Sequence, residues 1–168
     1  MYYENGEKYN GILLWGKKHV KGVWIEKDSG LTYTGEFEND LKNGTGTLSS
    51  TSMDYVYDGQ WFDNLRHGIG QLVTPEYKYS GGFKQNQFHG NGVYWDKIGN
   101  IYDGEWLNGK KCGVSHYTTA DGSKFVGEFK NNMMDGNGQW NYANGQVFSG
   151  AYLEDKIWGH GMLPSYFF

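Results

Sequence analysis

The sequence predicts an all-β fold, an elongated single-layer antiparallel sheet or solenoid of about seven stacked β-hairpin repeats, and three observations lead there. Glycine accounts for 27 of 168 residues and aromatic residues for 18%, against only 2 prolines. An aromatic residue is followed two places later by glycine at Tyr9/Gly11, Tyr33/Gly35, Tyr57/Gly59, Tyr79/Gly81, Tyr102/Gly104, Phe125/Gly127 and Phe148/Gly150. Successive copies stand 24, 24, 22, 23, 23 and 23 residues apart, which is too regular for chance and too short for a pair of solenoid helices. Glycine with aromatics and few prolines argues against collagen and against a disordered chain, and toward short strands with tight turns.

The first half of each copy has a large apolar residue two places after its glycine: Leu13, Phe37, Trp61, Phe83, Trp106, Phe129 and Tyr152. The second half opens with paired glycines, Gly44/Gly46, Gly68/Gly70, Gly90/Gly92, Gly136/Gly138 and Gly159/Gly161, and closes on an apolar residue such as Trp24, Leu48, Leu72 or Trp140. Copy one has Val20 and Gly22 at the paired site, and copy five has Gly113 and Ser115. Because the marked residues are two apart, each half is a strand that carries them on one face. Glycine weakens a strand but suits close approach by a neighbouring ring, so aromatic rings are expected to lie across glycine tracks.

A first turn of six residues follows the second aromatic, with Asp40, Asn64, Asn86, Gly109, Asn132 and Asp155 at one fixed place. These residue types tolerate a left-handed backbone. The second turn absorbs the variation in length and contains Asp121-Gly122 and Asn144-Gly145, strong hairpin pairs. The chain is thus expected to be a single repeat domain over 1–168, with repeats starting near 9, 33, 57, 79, 102, 125 and 148. A cap segment is expected at 1–8 and another at 164–168, where Pro164 stops strand pairing and Tyr166, Phe167 and Phe168 fold back over the last apolar face.

The longest apolar runs are about four residues, far short of the ~18 of a membrane span, and Glu4, Asn5 and Glu7 stand where a signal peptide would turn apolar. A soluble, cytoplasmic chain is expected. One cysteine, Cys112, leaves no internal disulfide framework. The formal net charge of −4 provides no basic footprint for nucleic acid.

The segments Tyr33-x-Gly-Glu-Phe, Tyr102-x-Gly-Glu-Trp and Phe125-x-Gly-Glu-Phe, each followed by the paired-glycine signature, resemble MORN (membrane occupation and recognition nexus) repeats. The resemblance runs from Tyr9 to about Leu163. It implies a single-layer sheet with a lengthwise groove, used for protein–protein assembly and often tied to cytoskeletal or ciliary structures or to membrane-apposed complexes. Some members carry an enzymatic domain beside their repeats, and none is expected within these 168 residues.

No residue constellation argues for an enzyme, a metal or a cofactor. His19, His67 and His89 share one repeat position, but equivalent residues of successive hairpins are about 10 Å apart, whereas zinc holds each ligand at ~2.0–2.1 Å. Cys112 and His116 are about 13 Å apart in an extended strand, so a free, inert thiol is expected. Glu36, Glu105 and Glu128 alternate with the aromatics and face away from them, in keeping with solvation and defence against aggregation.

The aromatics themselves exceed what one sheet layer readily hides, and apolar patches mark interfaces. The candidate groove for a partner segment comprises Tyr33, Phe37, Tyr57, Trp61, Tyr79, Phe83, Tyr102, Trp106, Phe125 and Phe129. The expected function is that of a non-enzymatic protein–protein interaction scaffold in a larger cytoskeletal or ciliary assembly. The alternative is a peripheral phospholipid-binding protein, against which the acidic balance argues. End-to-end self-association through the edge strands is a further open alternative.

Overall fold

The structure is a computed structural model that describes residues 6–50 and 52–162, with backbone alone at 160–162. Part of the expected cap at 1–8, and all of the cap at 164–168 with Leu163 before it, lie outside the described residues. The chain falls into two compact units, Met1–Gln87 and Phe88–Phe168. Among the described residues there is no helix.

In the first unit β1 (Lys8–Leu14), β2 (Lys17–Ile25), β3 (Thr32–Glu38), β4 (Leu41–Ser50), β5 (Tyr55–Phe62), β6 (Leu65–Val73) and β7 (Tyr77–Lys84) pair in sequence order, each antiparallel to the next. The second unit repeats this with β8 (Gln87–Asp96), β9 (Ile101–Leu107), β10 (Lys110–Thr118), β11 (Lys124–Lys130), β12 (Met133–Asn141), β13 (Val147–Leu153) and β14 (Lys156–Met162). The expected all-β antiparallel hairpin repeat is therefore the observed architecture. Alternation puts the core on one face: in β11, Phe125, Gly127 and Phe129 are buried and the residues between them exposed.

Register aligns the glycines into lanes. In the first unit Gly11, Gly22, Gly35, Gly46, Gly59, Gly70 and Gly81 stand opposite one another strand after strand. In the second, Gly127, Gly138 and Gly150 do the same. A side chain on this lane has no room, because a Cβ added at Gly46 would lie 2.5 Å from Cζ of Tyr33. The ring of each leading aromatic occupies the space that glycine leaves.

Two details differ from the expectation. The first turn is two residues, not six: Asn39 and Asp40 take φ of 50° and 72°, and the strands resume at Leu41. A pair of left-handed residues matches the right-handed twist of a hairpin, so Asp40 and its equivalents do hold the backbone conformation expected of them. The second difference concerns the paired glycines, which do not share a face. Gly44 sits in a bulge with φ of 91°, and a Cβ there would meet Glu36 on the opposite face, while Gly46 alone seats the ring. The bulge shifts the side-chain alternation, since the extra residue is unpaired. Copy one places Val20 in the same conformation, φ 58°, a strained choice for a β-branched residue.

The turn residues also clamp neighbouring hairpins. Asn64 N donates to Lys42 O at 3.0 Å while Lys42 N donates to Asn64 Oδ1 at 2.8 Å. Asp40 with Lys18, Asn86 with Arg66, Asn132 with Lys111 and Asp155 with Met134 repeat the pair of bonds. Gly109 makes the backbone bond to Phe88 O at 2.9 Å but has no side chain to return one. Asn132→Ala is expected to lower stability by about 1 kcal/mol through the lost bond and the strained φ of alanine. Gly109→Asn should raise stability, and urea midpoints of the two variants measure both signs.

Candidate functional site

The aromatic face is built from two rings per hairpin. Tyr33 meets Phe37 of its own repeat edge-on at 4.9 Å and Trp61 of the next repeat at 5.4 Å. Tyr57 meets Trp61 at 5.0 Å and Phe83 at 5.0 Å. In the second unit Tyr102 meets Trp106 and Phe129, each at 5.1 Å, and Phe125 meets Phe129 at 5.6 Å. Edge-to-face geometry sets the positive rim of one ring on the negative face of the next. Hydrogen bonds fix the polar ends: the hydroxyls of Tyr33, Tyr57, Tyr79 and Tyr102 donate to the carbonyls of Glu36, Gln60, Gly82 and Glu105. Trp61 Nε1 donates to Gly46 O at 2.8 Å and Trp106 Nε1 to Gly92 O at 3.1 Å.

All ten candidate groove residues lie on this face, with exposures between 0 and 7%. They are its buried core. Burial drives the phenol pKa values of Tyr33, Tyr57 and Tyr79 far above the ordinary range, and that of Tyr102 to about 12. Beside them are half-buried rings, Trp24, Tyr55 and Tyr77 in the first unit and Tyr94, Tyr117 and Trp140 in the second. Trp140 stacks on Tyr142 at 5.7 Å with planes 12° apart, and Tyr142 is 39% exposed.

Sequence reasoning did not single out the cations that lie over the rings. Lys42 Nζ is 4.9 Å from the centroid of Trp24 and 5.4 Å from that of Trp61. Lys18 lies over Tyr9 and Phe37, Arg66 over Tyr57 and Phe83, and Lys111 over Tyr94, Tyr102 and Tyr117. An ammonium at this distance is attracted by the ring quadrupole. Burial pushes the Lys42 pKa below its ordinary value, with Lys18 adding to the shift and Glu26 and Glu7 opposing it. Lys111 is pushed down by burial in the same way. The signal was present in the sequence, because Lys18, Lys42, Arg66 and Lys111 each stand five residues after the second apolar residue of their repeat.

The opposite face carries the acidic and amide side chains that alternate with the rings. Glu36 Oε1 accepts from Thr45 Oγ1, Gln60 Oε1 from Ile69 N, and Glu128 Oε1 from Asn137 N. These side chains thus cap the bulge as well as solvate the face. Ser115, the irregular residue of copy five, is buried and its hydroxyl lies 2.7 Å from that of Tyr102, so a polar pair replaces the seat of glycine. His19 Nδ1 accepts from Asn39 N at 3.5 Å, and the His67 ring lies 5.9 Å from Phe62. Burial raises the Cys112 pKa and Glu105 adds to it, which favours the unreactive thiol at neutral pH.

Comparison with known proteins identifies six copies of a known repeat, against the seven expected from spacing. The model of the MORN repeat matches residues 9–25, 33–52, 57–76, 79–101, 102–124 and 125–147. Alsin of Rattus norvegicus and alsin of Homo sapiens are each 39% identical over 80 residues, 43% of this chain and 5% of alsin. MORN repeat-containing protein 3 of Xenopus laevis is 33% identical over 75 residues, 42% of this chain and 32% of the relative. The matched region spans well under half of each of these relatives.

Proposed function

We propose that this chain, which belongs to the MORN repeat family, is a non-enzymatic scaffold that holds a segment of a partner protein against its aromatic face. MORN repeats mediate protein or membrane interactions. The observation that favours a protein partner is a face on which half-buried Trp24, Tyr94, Tyr117 and Trp140 stand beside fully buried rings. Fixed neighbours hold these amphipathic rings in place, so little side-chain entropy is lost when a partner covers them. Aromatic residues so placed are frequent binding anchors. The buried residues, Tyr33 to Phe129 of the candidate set, act by positioning the half-buried rings beside them.

On this reading the protein works in the cytoplasm, within a cytoskeletal or ciliary assembly. Peripheral contact with phospholipid is the second reading, and the family's membrane interactions support it. A photo-crosslinking amino acid placed at Trp140 in the native cell separates them. Discrete protein adducts, absent when the crosslinker replaces Val114 on the opposite face, are the expected result. Lipid adducts alone, or the same adducts from both faces, would overturn the proposal.

A further inference from the structure

Six Asn-Gly pairs lie within the described residues: Asn10-Gly11, Asn43-Gly44, Asn91-Gly92, Asn108-Gly109, Asn137-Gly138 and Asn144-Gly145. In such a pair the glycine nitrogen can attack the side-chain carbonyl of the asparagine, because glycine has no Cβ to hinder the approach and adopts most backbone conformations. The fold restrains five of the six. Gly11, Gly44, Gly92 and Gly138 are held in strands paired with a neighbour, and Gly109 N donates to Phe88 O of the preceding hairpin at 2.9 Å.

Asn144-Gly145 lies at the exposed turn between β12 and β13, and its bonds are local. Gly145 N donates to Tyr142 O at 2.9 Å, and Gln146 N donates to Asn144 Oδ1 at 3.0 Å. The bond from this turn to another hairpin, Ala143 N to Ser123 Oγ at 3.0 Å, falls one residue ahead of the reacting peptide group. Opening confined to such a turn costs little. Gly145 has φ of 85° and open space where a Cβ would stand. The bond from Gln146 N also polarises the carbonyl under attack, as a donor does at a developing oxyanion.

We infer that Asn144 is a site of spontaneous deamidation, at which the turn between β12 and β13 is chemically altered as the protein ages. Gly145 N loses its proton to solvent base and bonds to Asn144 Cγ. The Cγ–Nδ2 bond breaks and ammonia leaves, its added proton supplied back by solvent. Water then opens the cyclic imide. Opening at Cγ leaves an aspartate at this position; opening at the main-chain carbonyl leaves an isoaspartate, whose backbone runs through the side chain. Either product adds one negative charge. The turn accepts the aspartate, because Asp121 holds the same place in the turn of Thr119 to Ser123, with Asp121 Oδ1 accepting from Ser123 N at 3.1 Å and Gly122 N donating to Thr119 O at 2.9 Å. It does not accept the isoaspartate. One more backbone atom between Tyr142 and Gln146 breaks the 2.8 Å bond from Tyr142 N to Gln146 O and draws Tyr142 off its stack on Trp140.

Incubation of the full chain at body temperature and neutral pH, followed by peptide mapping with mass spectrometry, tests this. Asn144 should convert first, about tenfold or more ahead of the strand pairs, the ratio that one further hydrogen bond to break imposes. Conversion should quicken as the pH rises, since the attacking nitrogen must lose its proton. The aged chain should accept methyl groups from an isoaspartyl methyltransferase, and Asn144→Gln, with a thermal midpoint near the parent's to show that it is folded, should lose most of that methylation. Fresh Asn144→Asp should melt with the parent chain. Conversion of a strand pair or of Asn108 ahead of Asn144 would overturn the inference. So would methylation undiminished in Asn144→Gln, or an intact Asn144 after a free peptide of residues 141–147 has been consumed.

Discussion

Tyr57→Ala is expected to cost about 3–5 kcal/mol, the range for truncating a large buried aromatic. The ring is fully buried, touches Trp61 and Phe83 edge-on, and covers Gly59 and Gly70. Its removal leaves a void that glycine on both strands cannot fill, and leaves the Gln60 carbonyl without the hydroxyl that donates to it. Tyr57→Phe should cost only about 1 kcal/mol, the worth of one hydrogen bond, because Phe125 and Phe148 already hold this place in other repeats. Trp15→Ala supplies the contrast, since Trp15 is 91% exposed at a turn and should change stability by less than about 0.5 kcal/mol. Chemical denaturation followed by tryptophan fluorescence and circular dichroism measures all three. A Tyr57→Ala cost near that of Trp15→Ala would mean that the ring zipper does not hold the sheet.

Raising the pH through 10 is expected to unfold the protein cooperatively. A free phenol ionises near pH 10, while burial pushes Tyr102 and Tyr152 to about 12 and Tyr33, Tyr57 and Tyr79 higher still. Below pH 10 these groups are neutral in both folded and unfolded chains, so they make stability no function of pH there. Above it the unfolded chain releases protons that the folded chain retains, and stability falls with each further rise toward the folded pKa. Phenolate absorbance and strand circular dichroism should therefore change together between about pH 10 and 12. Phenolates appearing near pH 10 with the strand signal intact would show that the tyrosines are open to water.

The hairpin repeat was legible because its causes are local. Tyr33, Gly35 and Phe37 are two apart, and a strand turns every second residue to one face whatever surrounds it. Asp40 and Asn132 marked turns for an equally local reason, the ease with which their short side chains accept a left-handed backbone. The bulge was missed at Gly44 because spacing alone treats a strand as unbroken, and one unpaired residue reverses which face its neighbours take. The clamp between Asn64 and Lys42 links residues 22 apart; it comes from stacking one hairpin on the next, which no single repeat displays.

By itself the sequence determined that this chain forms antiparallel hairpins with rings seated on glycine, since side-chain alternation and the lack of a Cβ are properties of residues. Tertiary structure decided which aromatic residues stay accessible. Tyr33, Phe37 and Trp61 look as available in the sequence as Trp24, but packing between successive hairpins buries the first three and leaves Trp24 half open beside Lys42. Exposure depends on what the neighbouring hairpins place beside each ring, and that follows from the register of the sheet.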